Sequence, residues 1–288
     1  MSQSKCPVCR ADRFREVRAR GGLRVRRCLE CASGELIGAN GNGGGRFAYD
    51  SEYFESWNLA PGSPSWKLRQ STAALRLETL ERLGVRTGKL LDVGAAGGYL
   101  VEQANRAGFD ALGVEISEHA VEIASRVVPG KVHQGTLDTL DLDPGSLDVI
   151  TLFDVLEHLP EPGESLSRLG RWIKPGGCLA LTIPDIDSLS AWLMAGAWPH
   201  YKEEHLFYPS REGMRMLLAS TGFEVVHEER ALKFLSVAFM APLFERYPVA
   251  WVTPAVSLVH RLLPASLREK PFRISIGERL MVARKPCR

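Results

Sequence analysis

The chain has almost no net charge. Its 36 lysines and arginines against 34 aspartates and glutamates leave +2 over 288 residues, so global electrostatics single out no partner. An apolar signal-peptide core is lacking at the N-terminus. Long hydrophobic runs are lacking as well: the most apolar stretch, 234–260, is broken by Pro242, Glu245, Arg246, Pro248 and Pro254 and is too interrupted to cross a bilayer. Cysteine is scarce at six residues, and four of these suit a metal site better than disulfides, which makes a cytoplasmic location the expectation. There is no internal repeat. With 45% hydrophobic and 24% charged residues, the composition is ordinary for a globular chain. The length allows one large domain, or one domain plus a small module, with a proper core.

What charge there is lies unevenly. Among the first thirty residues, Lys5, Arg10, Arg13, Arg15, Arg18, Arg20, Arg24, Arg26 and Arg27 face only Asp12, Glu16 and Glu30. The same segment holds Cys6-Pro-Val-Cys9 and Cys28-Leu-Glu-Cys31. Each C-x2-C knuckle offers two thiolates to one cation, and two knuckles close a tetrahedral four-cysteine site with no open position. Structural Zn2+ held by Cys6, Cys9, Cys28 and Cys31 is therefore expected, with free thiols or a redox pair as alternatives. A basic ribbon could grip nucleic acid. Little aromatic interleaving for base stacking favours a solvated or docking surface instead.

Four sections follow from the pattern: a zinc ribbon over 1–38, a linker over 39–63, a catalytic domain over 64–288, and within it an apolar helical insertion at about 231–272. The linker joins the glycine-rich run 40–45 to Tyr49, Tyr53, Phe54 and Trp57. Beyond it, helix and strand signals alternate. A helix is expected over 68–83, a strand over 89–93, a helix over 99–107 and a strand over 111–115. Ser117 caps the next helix, over 119–127, and a short strand lies near Val132. Strand 147–153, helix 165–173, a turn at Lys174-Pro-Gly-Gly177 and strand 178–183 follow. Helix 210–221 and strands 223–227 and 274–283 end the series. Near-continuous apolar strands between helices imply a mostly parallel sheet covered on both faces.

The first strand runs into Asp92-Val-Gly94-Ala-Ala96-Gly-Gly98. A small-residue turn between strand and helix lets a nucleotide-like ligand approach the backbone. Asp92 at the strand end can organise amides and solvent around a cationic amino-acid tail. Glu115 ends the following strand, where an acid can accept both ribose hydroxyls. In this order the segments resemble the class I S-adenosylmethionine-dependent methyltransferases. Leu91–Gly98 resembles their first motif, with Ala96 replacing the middle glycine and crowding the loop slightly. Gly113-Val-Glu115-Ile116-Ser resembles the ribose motif. Gly135-Thr136-Leu137 falls where the family contacts adenine, with Thr136 where Asp is common. Asp148 to His158 resembles the fourth-strand motif, and Lys174-Pro-Gly-Gly177 the turn before the fifth strand.

The resemblance spans roughly 66–230. It implies a Rossmann-like, seven-stranded, mostly parallel α/β sheet, S-adenosylmethionine as cofactor, and contacts to it from Asp92, Gly94, Ala96, Gly98, Glu115, Ile116, Thr136, Leu137, Phe153 and Asp154. Direct displacement at a sulfonium methyl needs alignment, exclusion of water and removal of a proton. His158 and His205 follow the fourth and fifth strands and are the candidates for the base. The run Asp154-Val-Leu-Glu157-His158 is also similar to an acid-x-x-acid-His stretch in ubiquinone-pathway O-methyltransferases that is associated with a divalent cation.

Zinc ribbon, aromatic linker and methyltransferase core in that order resemble bacterial C- and O-methyltransferases of sugar and glycan pathways. A small-molecule acceptor of that class is the leading expectation. The alternatives are RNA, a lipid-linked or quinone-like acceptor, and a non-catalytic cofactor-binding scaffold. Neither an Asn-Pro-Pro-aromatic motif nor a cysteine placed as a pyrimidine nucleophile supports RNA. The insertion mixes Phe234, Phe239, Phe244, Tyr247 and Trp251 with Lys233, Arg246, Arg261, Arg268 and Lys270. It reads as a lid or dimer surface, with peripheral membrane contact as the sharper expectation.

Overall fold

The computed structural model describes residues 5–37, 60–246 and 248–287. Most of the expected linker, with its aromatic residues, and Tyr247 of the insertion lie outside them.

Three short strands open the chain: β1 (Phe14–Arg18), β2 (Arg24–Cys28) and β3 (Gly34–Leu36). Helix α1 (Pro64–Arg82) starts earlier than its apolar spacing suggests, because Ser63 accepts from the Trp66 amide and Pro64 needs no intrahelical donor. Then come β4 (Gly88–Val93), α2 (Tyr99–Arg106), β5 (Phe109–Glu115), α3 (Glu118–Ser125), β6 (Val132–Gln134), β7 (Leu147–Phe153), α4 (Pro162–Trp172) and β8 (Ile173–Pro184). The second half holds α5 (Leu189–Met194), β9 (Phe207–Tyr208), α6 (Arg211–Ser220), β10 (Glu224–Arg230), β11 (Lys233–Leu235), α7 (Val237–Arg246), α8 (Val252–Leu262), α9 (Ala265–Arg268), β12 (Phe272–Ile274) and β13 (Glu278–Arg284).

The main sheet has seven strands in the order β10-β13-β8-β7-β4-β5-β6. Pairing is parallel from β8 through β6, and β13 inserts antiparallel between β8 and β10. This is the Rossmann-like, mostly parallel sheet expected, with its order reversing at β4, where open sheets of this kind place their ligands. The apolar strands pack on both faces, through Ile150, Leu152, Leu179 and Leu181 on one side and Leu90, Ala111, Val149 and Ala180 on the other.

Two expectations need correction. Lys174-Pro-Gly-Gly177 does not separate helix from strand, because β8 runs through it. A register shift between Leu147 and Val149 takes up the irregularity, Gly176 adopts φ +79°, and Gly177 lies against the Asp148 carbonyl. The expected last strand over 274–283 is two strands. Gly277, at φ +98°, breaks it, packed so close to Ser190 that a Cβ has no room. The first piece pairs with β11 in a separate hairpin, Lys233 opposite Ile274, and α7 to α9 rise from that hairpin.

The N-terminal ribbon is joined to the body by backbone pairing. Its sheet has the order β1-β2-β3-β9, so its fourth strand comes from beyond position 200, with Gly34 opposite Tyr208. Ser210 caps α6; its amide donates to Ser33 Oγ at 3.0 Å and its hydroxyl donates to the Cys31 carbonyl. Val25 and Leu36 share a core with Ile186, Trp198, Tyr201 and Tyr208.

Candidate functional site

Beyond the carboxyl ends of β4, β5 and β7 lies a cavity of about 1890 Å³, larger than the roughly 300–1,000 Å³ of an ordinary small-molecule pocket. One end is the turn after β4. Gly94 has φ +73°, and a Cβ there would strike Val155 at 2.5 Å. Gly98, at φ +81°, begins α2. Ala96 sits at φ +46°, so replacing the usual glycine carries a cost in backbone strain. Glu115 is buried and accepts from the Ala96 amide at 2.8 Å and the Ser117 amide at 3.0 Å. These bonds aim it into the turn, while burial raises its pKa. Asp92 accepts from Thr151 Oγ1 at 2.6 Å, and burial pushes its pKa up to about 7. Ile116, Thr136, Leu137 and Phe153 line the same end.

Two side chains here went unread in the sequence. Arg69 lies on α1 with its guanidinium 5.9 Å from the Tyr99 ring, and the buried Tyr99 hydroxyl has no hydrogen-bond partner among the described residues. Both line the cavity, where a hydroxyl and a cation suit the carboxylate of an amino-acid tail. The available signal was the seven-residue spacing of Arg69 and Arg76 on the apolar side of a helix, which puts two cations on one face.

At the centre, Asp154 adopts φ +61° and is held by its neighbours. Lys233 Nζ lies 2.8 Å from Oδ2, Thr182 Oγ1 donates to Oδ1 at 2.7 Å, and Arg76, stacked 4.4 Å over Phe153, reaches Oδ2 at 3.4 Å. Burial opposes the Asp154 carboxylate, but Lys233 and then Arg76 outweigh it and hold the pKa well below the usual range. Lys233 also bonds Glu278 at 2.7 Å. This network roots the hairpin of the insertion on the end of β7.

The other end carries the histidines. A 3-10 turn, Leu156–His158, follows β7. His158 Nδ1 pairs with the Glu204 carbonyl at 2.9 Å, and the Leu206 amide donates to the Glu157 carbonyl at 2.8 Å. His158 and His205, distant in sequence, thereby stack edge to face with ring centroids 4.8 Å apart. His200 lies stacked 6.2 Å from His205. Burial keeps all three imidazoles neutral, with His158 lowered to about 4, His200 to about 3 and His205 well below its usual value. Glu157, wholly buried, is pushed well above the carboxylate range by burial and then by Asp154.

Glu157, His158 and His205 have ligand-type atoms within 4.8 Å of one another. Glu157 Oε2 and His205 Nδ1 are buried with no hydrogen-bond partner among the described residues. The expected grouping of Asp154, Glu157 and His158 is thus not the one brought together: Asp154 is turned to Lys233 and Thr182, and His205 completes the set. The far wall is apolar, with Phe239, Met240, Leu243 and Phe244 from α7.

At the ribbon, the four sulfurs lie within 4.8 Å of one another, with Cys6 to Cys31 at 3.7 Å and Cys9 to Cys28 at 3.5 Å. A tetrahedron with zinc–sulfur bonds of about 2.3 Å has edges of about 3.8 Å, so the spacing fits one zinc ion. The basic face of the ribbon is largely matched by acids: Arg10 with Glu161, Arg13 with Glu30, Arg24 with Glu16, Arg26 with Glu35 and Arg27 with Asp187.

A family described as a methyltransferase domain matches residues 66–228, more than half of the chain. The chain belongs to that methyltransferase family. Among curated relatives, the ubiquinone biosynthesis O-methyltransferase of Methylococcus capsulatus is 36% identical over 115 residues, 37% of this chain and 47% of the relative. That of Sodalis glossinidius is 35% identical over 129 residues, 42% of this chain and 51% of the relative. The chain spans about half the length of these relatives. The fold also recurs in the PH0226 protein of Pyrococcus horikoshii OT3, at TM-score 0.51 and 18% identity over 82% of this chain and 99% of that one. The [4+2]-cyclase SpnF shares it at TM-score 0.50 and 22% identity over 74% of this chain and 80% of that one. A cyclase on the same fold underlines that the site, not the fold, must carry the function.

Proposed function

We propose that the chain transfers the methyl group of S-adenosylmethionine to a hydroxyl oxygen of a small acceptor with a polar reacting head and an apolar body, of quinone-precursor type. The observation that carries this is the make-up of the cavity: neutral histidines on its floor between the cofactor turn and the apolar wall of α7. A sugar, the leading expectation from the sequence, would find no partners for its hydroxyls along that wall. The names of the relatives also favour the quinone class.

When bound, S-adenosylmethionine supplies a sulfonium methyl open to in-line displacement. Glu115 would accept from its ribose hydroxyls, and Arg69 with Tyr99 would receive its carboxylate. With it bound, His158 or His205 would take the proton of the acceptor hydroxyl and so free its oxygen to accept the methyl group. The α7 wall excludes water. Replacing either histidine with alanine lowers turnover by about 10²–10⁴-fold and leaves cofactor affinity, read by calorimetry, within a few-fold. Unchanged turnover in both variants rejects the assignment. Labelled methyl incorporation into polyprenylated catechols against nucleotide sugars decides the acceptor class, and lack of transfer to any acceptor would favour a cofactor-binding scaffold.

A metal-assisted version of the same transfer is favoured by the unpartnered Glu157 Oε2 and His205 Nδ1 beside His158. A divalent cation there would acidify the acceptor hydroxyl. Activity that survives chelation with the ribbon metal retained excludes it. The four cysteines are read as a structural zinc site, which metal analysis at one zinc per chain tests. The paired arginines of the ribbon speak against RNA as substrate, and a shallow salt dependence of RNA binding is expected.

A further inference from the structure

Helix α8 buries none of its residues, although its sequence is mostly apolar. Its neighbour α7 explains half of this: Thr253 bonds the Phe244 carbonyl, and α7 turns Phe239, Met240 and Leu243 to the cavity. The outer side of α8 is not explained by the cavity. Trp251, Leu258 and Leu262 recur at i, i+7 and i+11, which is one stripe of a helix. They are 60%, 57% and 75% exposed. A cover facing water would carry polar residues there. In sequence, Arg261 falls within the stripe and Arg268 and Lys270 follow it, with Glu269 the acid among them; Arg261 and Lys270 are exposed.

A second apolar element lies beside the root of the same insertion. On α5, Trp192 is 76% exposed, while Ser190 on the same helix packs against Gly277 and lines the cavity. Exposed tryptophan and leucine with cations close by in sequence is the composition of a helix lying in a membrane interface.

We infer that the outer face of α8, together with Trp192 of α5 near the root of the insertion, docks on an anionic phospholipid surface, so that the α7 side of the cavity receives its acceptor from the bilayer. A second copy of the chain is the poorer occupant, because a two-fold contact would bring the cations of both copies together around the stripe. An anionic bilayer complements them. No helix of the described residues is long and apolar enough to cross a membrane, so the contact is peripheral. The inference deepens the reading of an apolar acceptor, and it is scored without turnover, so either can fail alone.

The test is co-sedimentation of the full chain with vesicles of phosphatidylcholine alone or mixed with phosphatidylglycerol. The chain is expected to sediment with the anionic vesicles, about tenfold less with the neutral ones, and less as salt is added. The double substitution Leu258→Ser with Leu262→Ser is expected to reduce anionic binding by at least tenfold while leaving the thermal midpoint unchanged, since both side chains are exposed. A second variant, Arg261→Glu with Lys270→Glu, should abolish the preference for phosphatidylglycerol without touching the apolar stripe. Failure of the unaltered chain to sediment with anionic vesicles overturns the inference. So does undiminished binding by both variants. A concentration-dependent dimer that the leucine pair abolishes, without vesicle binding, assigns the stripe to self-association and overturns it as well.

Discussion

The two ends of the cavity are built by opposite means. The cofactor end is local: Asp92, Ala96, Glu115 and Leu137 come from three consecutive strand-to-helix or strand-to-loop connections. The acceptor end is assembled from segments far apart, with the 3-10 turn at 156–158, the loop carrying His200 and His205, the ribbon that pairs with β9, and the insertion rooted through Lys233. Backbone hydrogen bonds within one sheet hold the first. The second depends on three joints: β3 with β9, His158 with the Glu204 carbonyl, and Lys233 with Asp154 and Glu278. A single fold thus carries a cofactor site set by local geometry and an acceptor site set by long-range joints, and perturbations should separate them.

The ribbon joint gives the largest expected separation. Leu36 donates to the Leu206 carbonyl one residue after His205, so loss of the cysteine cluster should loosen His205. Cys31→Ser is expected to lower turnover by about 10²-fold, the cost of a misplacement near 1 Å, with cofactor affinity within about threefold. An equal fall in cofactor affinity would show that the two ends form one cooperative unit and would break the comparison. The Lys233 joint comes next. Lys233→Met leaves Asp154 and Glu278 facing each other with Arg76 as the nearby cation. Removing one partner of a buried ion pair costs about 3–5 kcal/mol, and the partial exposure of Asp154 reduces this to roughly 2–3 kcal/mol. Denaturant unfolding reads it; a change below about 0.5 kcal/mol would mean that the insertion is rooted by its hairpin alone.

The same division decides what could be read from the sequence. Strand β7 was legible from Leu147 to Phe153 because a buried parallel strand is a continuous apolar run. The turn from Asp92 to Gly98 was legible because small residues there answer a local backbone need. His158 and His205 were named from their positions after strands, but their contact depends on a loop folding back over forty residues. Strand β9 has two residues and no periodicity of its own; it exists because β3 pairs with it. Lys233 read as one more basic residue of an apolar insertion, since its partners Asp154 and Glu278 lie 79 and 45 positions away. Ser63 and Pro64 carry a helix-start signal that the boundary drawn between linker and domain split in two.

Within the cofactor end, pH sharpens the comparison. Asp92 has a folded pKa near 7, above the ordinary carboxylate value of about 3.9. The cofactor-free fold therefore binds this proton more tightly than the unfolded chain does. Its stabilising contribution is full below about pH 4 and is lost as pH rises through about 7. The ammonium of the cofactor favours the ionised carboxylate, so cofactor binding should tighten up to about tenfold per pH unit on approaching neutrality from below. Asp92→Asn should flatten that profile in calorimetry, whereas His158→Ala, at the acceptor end, should leave it unchanged. A profile that stays steep in Asp92→Asn would place the titrating group elsewhere.

The smallest effect is expected at Ala96, and it tests whether the cofactor end is set by backbone geometry alone. Its φ of +46° is one that glycine adopts freely and alanine does not. Its amide still has to point at Glu115, 2.8 Å away. Ala96→Gly removes the strain but adds freedom to the unfolded chain, and these oppose each other. The left-handed penalty of about 1–2 kcal/mol matches or exceeds the entropy cost of about 0.4–1 kcal/mol, so a net stabilisation of up to about 1.6 kcal/mol is expected. Cofactor affinity should stay within about twofold, because the amide is already aimed, and turnover should not change, because no acceptor joint passes through residue 96. Denaturant midpoints and calorimetry on the variant read both. A gain in affinity beyond tenfold would mean that the turn rearranges to bind, which would make the cofactor end as adaptable as the acceptor end.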